Sequence, residues 1–397
     1  MVKTEKIPEG YRATEAGILP VDWQVKRLSE VATELTERAG QDKYETVSIS
    51  AGIGFVNQAE KFGKELSGKQ YEKYIVLHQG DFSYNKGNSK TSPQGCIYRL
   101  NDRETAAVPN VFESFRIEGQ NADYYEQLFL SGFLNKQLYS KINRGVRDDG
   151  LLNLTGKDFY SCTVPVPPVD EQKKIAEILA QCDRVIQLKE NQLEAQKKEI
   201  QWFGNKIFKE SAFPSTTIGN IGKLISGQDY SQTGYSQDPC GCPYLTGAKN
   251  IENGQVVFNR WTKTPTKIVK DEDILIVCKG SGVGKMILYH GEDAHIARQL
   301  MSIRVPSPKN YYVYYALQYN LETLKKMSKG LIEGLDRKSV LQCEIAWPPE
   351  ETQLTIANYF KEADYRVNLM VQELIMWKRK KKSLMQLLLT GIVRVKP

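Results

Sequence analysis

The sequence predicts an α+β protein built twice, in which two strand-rich globular segments alternate with two long helices. The stretch SCTVPVPPVDEQKKIAEILAQCD recurs 181 positions later as QCEIAWPPEETQLTIANYFKEAD, so that Cys162 matches Cys343 and Asp183 matches Asp364. The hydrophobic spacing repeats along with the identities, which indicates a duplicated structure with a pseudo-twofold relation between its halves. The predicted segments are a first globular domain, a first helix, a second globular domain and a second helix, at residues 1–165, 166–212, 213–345 and 346–397.

Each long helix is predicted from a heptad pattern. Alternating steps of four and three fall on apolar residues at eight of ten positions from Ile175 to Ile207, and at nine of ten from Ile356 to Leu388. A Pro-Pro pair and acidic residues precede each pattern and favour a helix start. The first helix should run from Val169 to Phe208, about 60 Å at 1.5 Å per residue. A narrow apolar seam of this length is typical of a coiled coil, and an ordinary buried helix pair is the alternative.

The two globular segments, roughly 20–165 and 213–345, share an order of elements. Short runs rich in Val, Ile, Tyr and Phe alternate with Gly, Asn and Asp, which predicts short strands joined by turns. One helical stretch follows in each segment, Tyr124–Ser140 and Tyr311–Ser328, and then a basic loop containing glycine at 143–154 or 329–341. Similar order with divergent sequence is expected of two modules that bind different ligands on one frame.

Composition and charge limit the classes of protein to which the chain can belong. The chain has 397 residues, 41% of them hydrophobic, and a net charge of +7, with no run of eighteen apolar residues. We therefore expect a cytoplasmic protein with no membrane contact and no signal peptide. The seven cysteines include no C-x-x-C pair, so free buried thiols are favoured over a zinc site. By count, residues 211–349 and 350–397 each carry an excess of +4, which permits nucleic-acid binding without proving it.

One glycine-rich string resembles a phosphate loop but lacks two of its required residues. In Lys279-Gly-Ser-Gly-Val-Gly-Lys285-Met286, Lys279 replaces the first glycine and Met286 replaces the hydroxyl residue that binds magnesium. The string then predicts either a turn whose amides and lysines approach a DNA phosphate or a plain turn with solvated lysines. We find no Ser/His/Asp set, no acid–base carboxylate pair and no dinucleotide fingerprint, so we predict no catalytic residues and no metal site.

The loop Asn85–Lys90 follows Asp81 as the loop Lys279–Lys285 follows Asp273, so both are candidates for the same role. Lys and Asn side chains can contact phosphates or base edges, and Tyr84 could stack on a base or position its loop. The alternative for the basic residues is ordinary surface charge. The candidate DNA contacts are Tyr84, Asn85, Lys86, Asn88, Ser89, Lys90, Arg144, Arg147, Lys279, Ser281, Lys285, Arg298, Lys329, Arg337 and Lys338.

Taken together, these strings resemble the specificity subunit of type I restriction–modification systems over essentially the whole chain. The resemblance is carried by GYRATEAGILPVDWQVKRLSEVA, GDFSYNKGNSK, EDILIVCKGSGVGK, PVPPVDEQKKIAEILAQCD and LMQLLLTGIVRV. Thr352 departs from the family's usual Glu before Gln353, a difference that bears only on helix capping.

The resemblance implies two target recognition domains, each reading half of a split double-stranded DNA sequence, held apart by two antiparallel helices. It also implies two methylation subunits that dock on the helices and bring S-adenosylmethionine, and optional restriction subunits that use ATP and magnesium, while this chain binds no cofactor. The candidate partner-binding residues on the helices are Ile175, Leu179, Ile186, Leu193, Ile356, Phe360, Val367, Leu374 and Trp377. The alternatives are a coiled-coil scaffold, a DNA-binding protein outside restriction–modification, and an enzyme that carries its own cofactor.

Overall fold

The computed structural model describes residues 7–62, 68–87, 92–142, 152–252, 254–280, 282–327 and 334–395. The chain divides into two compact units. Unit 1 comprises residues 1–188 and 374–397, and unit 2 comprises residues 189–373. Each unit therefore contains a globular domain and part of both long helices. The first long helix begins in unit 1 and ends in unit 2, and the second begins in unit 2 and ends in unit 1.

Unit 1 contains twelve described strands and four short helices before the first long helix. The strands are β1 Tyr11–Thr14, β2 Gly17–Pro20, β3 Gln24–Arg27, β4 Ala32–Glu34, β5 Val47–Ser50, β6 Gly54–Asn57, β7 Ile75–His78, β8 Phe82–Asn85, β9 Cys96–Arg99, β10 Thr105–Val108, β11 Glu113–Ile117 and β12 Thr163–Val166. The helices are α1 Gln58–Phe62, α2 Ala122–Leu130, α3 Asn135–Lys141, α4 Gly156–Tyr160 and the long α5 Val169–Phe208, with 3-10 turns at Leu28–Glu30 and Gly68–Lys73.

In unit 2 the described strands are β13 Ser215–Thr217, β14 Lys223–Ser226, β15 Cys242–Leu245, β16 Ile251–Glu252, β17 Gln255–Val256, β18 Trp261–Thr262, β19 Ile268–Val269, β20 Ile274–Val277, β21 Met286–Leu288, β22 Ala294–Ile296, β23 Leu300–Arg304 and β24 Glu344–Ala346. The helices are α6 Ile218–Ile221, α7 Lys309–Tyr319, α8 Leu321–Met327, α9 Arg337–Gln342 and the long α10 Glu350–Leu388, with 3-10 turns at Gln232–Gly234 and Ala248–Asn250.

The main sheet has the same topology in both units. Its strand order is β4-β11-β8-β9 in unit 1 and β14-β23-β20-β21 in unit 2, with antiparallel neighbours throughout. A two-stranded antiparallel pair precedes each long helix, β12 with β3 and β24 with β13. The mixed helix-and-sheet architecture and the duplication predicted from the sequence are therefore present in the fold.

A buried aspartate directly precedes β8 in unit 1 and β20 in unit 2, and it pairs with an arginine of the neighbouring strand. Asp81 accepts hydrogen bonds from Nε and Nη2 of Arg116 at 2.7 and 3.0 Å. Asp273 accepts the equivalent bonds from Arg304 at 2.8 and 2.7 Å. The hydrogen bond to its aspartate raises the pKa of each arginine. This repeated pair fixes the start of the hairpin that carries the glycine-rich loop in each unit.

The long helices begin at equivalent positions, and each buries a glutamine of its first turn, Gln172 or Gln353. Gln172 N–H donates to Pro168 O and Gln353 N–H to Pro349 O, both at 3.0 Å and 181 residues apart. The predicted helix Val169–Phe208 is confirmed. Within unit 1, Lys381 contacts Asp183 at 2.6 Å, and within unit 2, Lys189 contacts Glu373 at 2.6 Å. A second pair in unit 1 joins Glu171 to Arg394, six residues after the end of α10, and a second pair in unit 2 joins Phe203 to Tyr359. In both units the residue number of the partner falls as the number along α5 rises, so the two chain segments run in opposite directions within each unit.

Two sequence predictions about helices need correction. The single helices expected at Tyr124–Ser140 and Tyr311–Ser328 are each divided in two. In unit 1, Gly132 lies at φ +76° between α2 and α3, a conformation that a continuing right-handed helix does not allow. In unit 2, Asn320 separates α7 from α8.

None of the seven cysteines forms a disulfide bond, and the expectation that the thiols are buried holds for only four of them. Cys162, Cys182, Cys278 and Cys343 are buried, whereas Cys240 is exposed. Among the described residues no cluster of three or more His, Cys, Asp or Glu could hold a metal ion. The helices described here include none that is long and apolar enough to cross a membrane.

Candidate nucleic-acid interface

The two predicted DNA loops occupy equivalent places in the two units. Each connects the last two strands of the main sheet, β8 to β9 in unit 1 and β20 to β21 in unit 2. The loop at 279–285 thus leads into a strand, whereas a nucleotide-binding phosphate loop leads into the N-terminus of a helix. The topology therefore agrees with the missing Gly and Ser/Thr in excluding a phosphate loop at this position.

Tyr84 lies in the core of unit 1 and is removed from the candidate direct contacts. Its side chain is fully buried, and its ring stacks on Phe159 with centroids 4.7 Å apart and an interplanar angle of 4°. Its hydroxyl donates to Gln94 O at 2.7 Å, and burial raises its pKa. Of the two roles considered for Tyr84, positioning the loop is the one that this geometry permits.

Lys86 and Asn85 also make internal contacts. The Lys86 ammonium lies 2.7 Å from Glu113 Oε1 and 3.3 Å from Leu154 O, and both partners of the ion pair are largely buried. Asn85 donates to Ile49 O at 3.1 Å and accepts from Gly87 N–H at 2.8 Å. These contacts shape the entry to the loop, so Lys86 is corrected from a phosphate contact to an internal support.

Several predicted contacts fall outside the described residues. They are Asn88, Ser89, Lys90, Arg144, Arg147, Ser281 and Lys329. Their roles stay predictions.

The loop of unit 2 presents one lysine to solvent. Gly280 and Gly284 both lie at φ +88°, and a Cβ on Gly282 would collide with the side chain of Ala248, so the glycines are required by the turn. The Lys285 ammonium donates to Ile251 O within the domain. The Lys279 side chain is exposed, and no partner for its ammonium is found in the described part of the chain. Lys279 is therefore the member of this loop best placed to reach a phosphate.

The other basic residues of unit 2 that were predicted to contact DNA differ in their exposure and in the internal bonds they make. Arg298 is exposed and paired with Asp229 at 2.7 Å. Arg337 donates to Leu224 O at 2.9 Å and to Ser226 Oγ at 3.2 Å, which fixes its guanidinium against β14. Lys338, the next residue of the same helix, is exposed. Arg298 and Lys338 remain surface candidates, and Arg337 is mainly a support.

The predicted partner-binding residues include several that are covered by their own unit. Ile175 and Leu179 are fully buried in the core of unit 1, and Ile356 and Phe360 are buried in the core of unit 2. Their side chains cannot contact another chain in this structure, because residues of the same unit's globular domain and of the other long helix cover them. The others are half-buried or at the edge of burial: Ile186, Leu193, Val367, Leu374 and Trp377.

Large apolar residues at outward positions of the long helices are exposed in each unit, and the sequence analysis missed them. In unit 1, Leu188 and Met376 are 62% and 61% exposed, and in unit 2, Trp202 and Leu369 are 62% and 51% exposed. On each helix they are separated by a multiple of seven residues, and Leu188 and Leu369 are equivalent at a spacing of 181. The same heptad count that defined the seam would have found these residues, had it been applied to the outward positions.

Comparisons with known proteins give one consistent match. The family model for the type I restriction modification DNA specificity domain matches residues 20–198 and again residues 212–375. A Methanocaldococcus jannaschii protein described as a putative type I restriction enzyme MjaX specificity subunit is 27% identical, over 98% of this chain and 97% of its own length. The MjaVIII specificity subunit of that organism is 24% identical, over 68% of this chain and 70% of its own.

Solved structures share the fold. A chain from a study of complex assembly and conformational transition in the type I R-M system superposes with a TM-score of 0.63 at 18% identity, covering 94% of this chain and 99% of that one. The type I S subunit from M. genitalium gives a TM-score of 0.59 at 13% identity, covering 97% of this chain and 98% of that one.

Proposed function

The chain belongs to the family of type I restriction–modification DNA specificity proteins, and on that premise we propose that it reads a bipartite DNA target with one recognition domain per half. The observation that carries this proposal is the duplicated main sheet, with its repeated Asp–Arg pair and its two glycine-rich hairpin loops. The loops differ in sequence while the frame is shared. Such a pair of modules can recognise two different half-sites with one geometry.

In this proposal the chain is not catalytic and binds no cofactor of its own. Methyl transfer from S-adenosylmethionine belongs to two methylation subunits, and ATP- and magnesium-dependent cleavage belongs to any restriction subunits that join. The hairpin geometry of residues 279–285 supports this division, because it does not build a nucleotide site. The complex would act on DNA in the cytoplasm.

The long helices are proposed to form an antiparallel coiled coil that separates the recognition domains. The support is the heptad seam together with the contacts within each unit, Asp183 with Lys381 and Lys189 with Glu373. Lys189 and Lys381 are themselves seam positions, so charged pairs there favour one register of the two helices.

Methylation subunits are proposed to dock on the exposed apolar residues of the long helices, which are Leu188 and Met376 in unit 1 and Trp202 and Leu369 in unit 2. Large apolar side chains that recur on one outward face of a helix need a covering surface, and the repeat supplies Leu188 and Leu369 as equivalent anchors for two identical partners. Replacing both leucines with Ser should abolish co-purification of the methylation subunit. Ile53→Ser, at an exposed apolar residue away from the helices, should leave it intact. If co-purification of the methylation subunit were lost equally in both variants, the proposal that the subunit docks on these helix residues would be rejected.

The recognition proposal is tested by methylome sequencing of cells that express this chain with its methylation subunit. A split motif with two constant halves and a fixed gap is expected. A coiled-coil scaffold would give no new motif and no DNA shift with the purified complex, and a DNA-binding protein outside restriction–modification would shift DNA without methylating it. An enzyme in its own right would methylate DNA without the partner.

A further inference from the structure

Unit 2 contains a cavity of about 390 Å³ that opens beside β18. None of the residues that line it belongs to the glycine-rich loop at 279–285. Its aromatic walls are Tyr235 and Trp261, and Asp238 and Lys263 also line it. The segment carrying Tyr235 is attached to the strand carrying Trp261 by two backbone bonds, Ser236 N–H to Trp261 O at 2.8 Å and Trp261 N–H to Ser236 O at 2.9 Å. The two walls are therefore held in a fixed relation by the backbone.

The aromatic side chains at this cavity are not part of the domain core. Tyr235 and Trp261 are half-exposed and belong to none of the buried clusters of unit 2. The Arg260 guanidinium lies 4.7 Å from the centroid of the Tyr235 ring, which orients that ring and adds positive charge nearby. The Tyr235 ring also packs against the buried Tyr244, with ring centroids 5.6 Å apart, so it is held in place while part of its surface and part of Trp261 stay open to solvent. Partly exposed aromatic side chains that are fixed in place are typical of a surface on which a base stacks.

The polar groups of the cavity are available to a ligand. In the described part of the chain, the Asp238 carboxylate and the Lys263 ammonium have no hydrogen-bond or ion-pair partner. The Asp238 backbone is fixed, since its N–H donates to Ser236 Oγ at 2.8 Å and its carbonyl accepts from Cys240 N–H at 2.7 Å. The site thus offers a ligand the Asp238 carboxylate as a hydrogen-bond acceptor and the Lys263 ammonium as a donor, beside two partly exposed aromatic side chains.

We propose that this pocket holds one unstacked DNA base that carries an exocyclic amino group. The volume lies within the range of small-ligand sites, and aromatic walls are the usual surface on which proteins stack unpaired bases. A carboxylate accepts from an amino group such as N4 of cytosine, whereas thymine has no such group. Lys263 and Arg260 supply the positive charge that a neighbouring phosphate requires.

The inference rests on the proposed DNA recognition and adds a second reading site to unit 2. The cost of extruding a base is smallest where the base is mismatched. A mismatch opposite the extruded base should therefore tighten binding of the wild-type complex, while a mismatch elsewhere in that half-site should weaken it.

The first test removes one aromatic wall in the complex of the full chain with its methylation subunits. Trp261→Ala should weaken binding of the specific duplex by tenfold to a hundredfold, as loss of one base stack does elsewhere. The sequence read at the other half-site should not change. Tyr139→Ala, at a 72% exposed tyrosine of unit 1, is the matched aromatic control and should bind normally. Circular dichroism of both variants checks folding. Unaltered affinity in folded Trp261→Ala would overturn the inference.

The second test concerns the amino group. Each base of the second half-site is replaced in turn by an analogue without its exocyclic amine, and binding is compared for wild type and Asp238→Ala. At one base position, removal of the amine should lower the affinity of the wild-type complex for DNA but leave the affinity of the Asp238→Ala complex unchanged. That difference would isolate the contact between the amine and Asp238. Equal sensitivity of the two proteins at every position would contradict a contact by Asp238.

A thiol footprint distinguishes DNA from free nucleotides as the source of the base. Cys240 lines the cavity and is exposed, so its alkylation can be followed by mass spectrometry. The specific duplex should slow alkylation, and millimolar AMP, CMP or GMP should not. Protection by mononucleotides alone would overturn the inference. A wild-type complex that binds no duplex would overturn the proposed function as well, whereas normal binding by Trp261→Ala overturns only this site.

Discussion

Glu171 and Arg394 lie 223 residues apart and form a two-pronged ion pair within unit 1. Arg394 Nε donates to Glu171 Oε1 at 2.8 Å and Nη2 donates to Oε2 at 2.9 Å. Glu171 is almost fully buried and also accepts from Trp23 Nε1 at 3.0 Å. The pairing with Glu171 and Asp22 raises the pKa of Arg394. The segment after α10 is thereby joined to the start of α5 and to the residues before β3.

Arg394→Ala should lower the free energy of unfolding of unit 1 by about 3 kcal/mol, because it leaves a buried carboxylate without its cation. Chemical denaturation measures this change. Arg379→Ala, at an exposed arginine of α10, should cost little. Adding Glu171→Gln to Arg394→Ala should recover part of the loss, since the stranded charge is then removed. If Arg394→Ala were as stable as wild type, the ion pair between Glu171 and Arg394 would contribute nothing to the stability of unit 1.

His295 should make unit 2 less stable at mildly acid pH. Its ring is fully buried, Nδ1 accepts N–H bonds from Thr266 and Lys267 at 3.2 Å each, and Nε2 lies 2.8 Å from Gln228 O. This pattern requires neutral imidazole, and burial lowers its pKa. The folded state then binds fewer protons than the unfolded state. Stability is complete above the unfolded pKa of about 6.5 and falls below it by up to about 1.4 kcal/mol per pH unit.

Denaturation of wild type and His295→Gln between pH 8 and 5 checks the prediction for His295. The difference between the two curves should shrink as the pH falls. Parallel curves over this range would contradict it.

Two equivalent glutamines should respond differently to the same substitution. Gln172 Oε1 accepts from Asn121 N–H at 3.0 Å, and its Nε2 donates to Gln120 Oε1 and Pro167 O. Gln353 Nε2 donates to Pro348 O at 2.7 Å, but its buried Oε1 accepts no bond from the protein groups described. The residue before α7 is Pro308, which has no N–H, where Asn121 precedes α2.

Gln172→Leu should therefore cost about 1 kcal/mol more in unfolding free energy than Gln353→Leu, because it leaves the part-buried N–H group of Asn121 without its acceptor. Urea denaturation of the two variants gives the comparison. Equal losses would mean that the Asn121 bond adds no stability.

Lys86 and Lys279 occupy equivalent loops but should give opposite phenotypes. Lys86→Ala leaves Glu113 buried without a cation and should reduce stability by about 2 kcal/mol. Lys279→Ala should leave stability unchanged and lower the salt dependence of DNA binding by about one unit of slope. Denaturation and salt-titrated binding of the complex separate the two. A Lys279→Ala complex with the wild-type slope would place this lysine away from phosphate.

The proposed spacer can be lengthened. Inserting four residues, roughly one turn, near Gln192 and at the facing position of α10 should add about 6 Å between the recognition domains. The unspecific gap of the target should grow by roughly one or two base pairs at 3.4 Å each, with both half-sites unchanged. Inserting two residues instead rotates the far seam by about half a turn and should prevent folding or docking. Methylome sequencing of cells that carry the insertion mutant gives the new gap. An active insertion mutant whose target keeps the original gap would show that the helices do not set the distance between the half-sites.

The heptad pattern and the 181-residue repeat determined by themselves that the protein is duplicated and that a helix runs from Val169 to Phe208. These features are local and periodic, so they are visible without coordinates. The position of each glycine-rich loop after Asp81 or Asp273 was also visible, because turn residues and a hydrophobic strand mark a hairpin.

Only the tertiary structure decided which side chains are free. Lys86 and Lys279 look alike in sequence, yet the Glu113 carboxylate, 27 residues away in the chain, binds the Lys86 ammonium, whereas no described group binds the Lys279 ammonium. Ile175 and Leu188 are both apolar helix residues, but the domain core covers the first and leaves the second exposed. The two aromatic walls of the cavity are brought together by a backbone bridge between Ser236, the neighbour of Tyr235, and Trp261. Such long-range contacts depend on how the whole domain packs, and no local pattern encodes them.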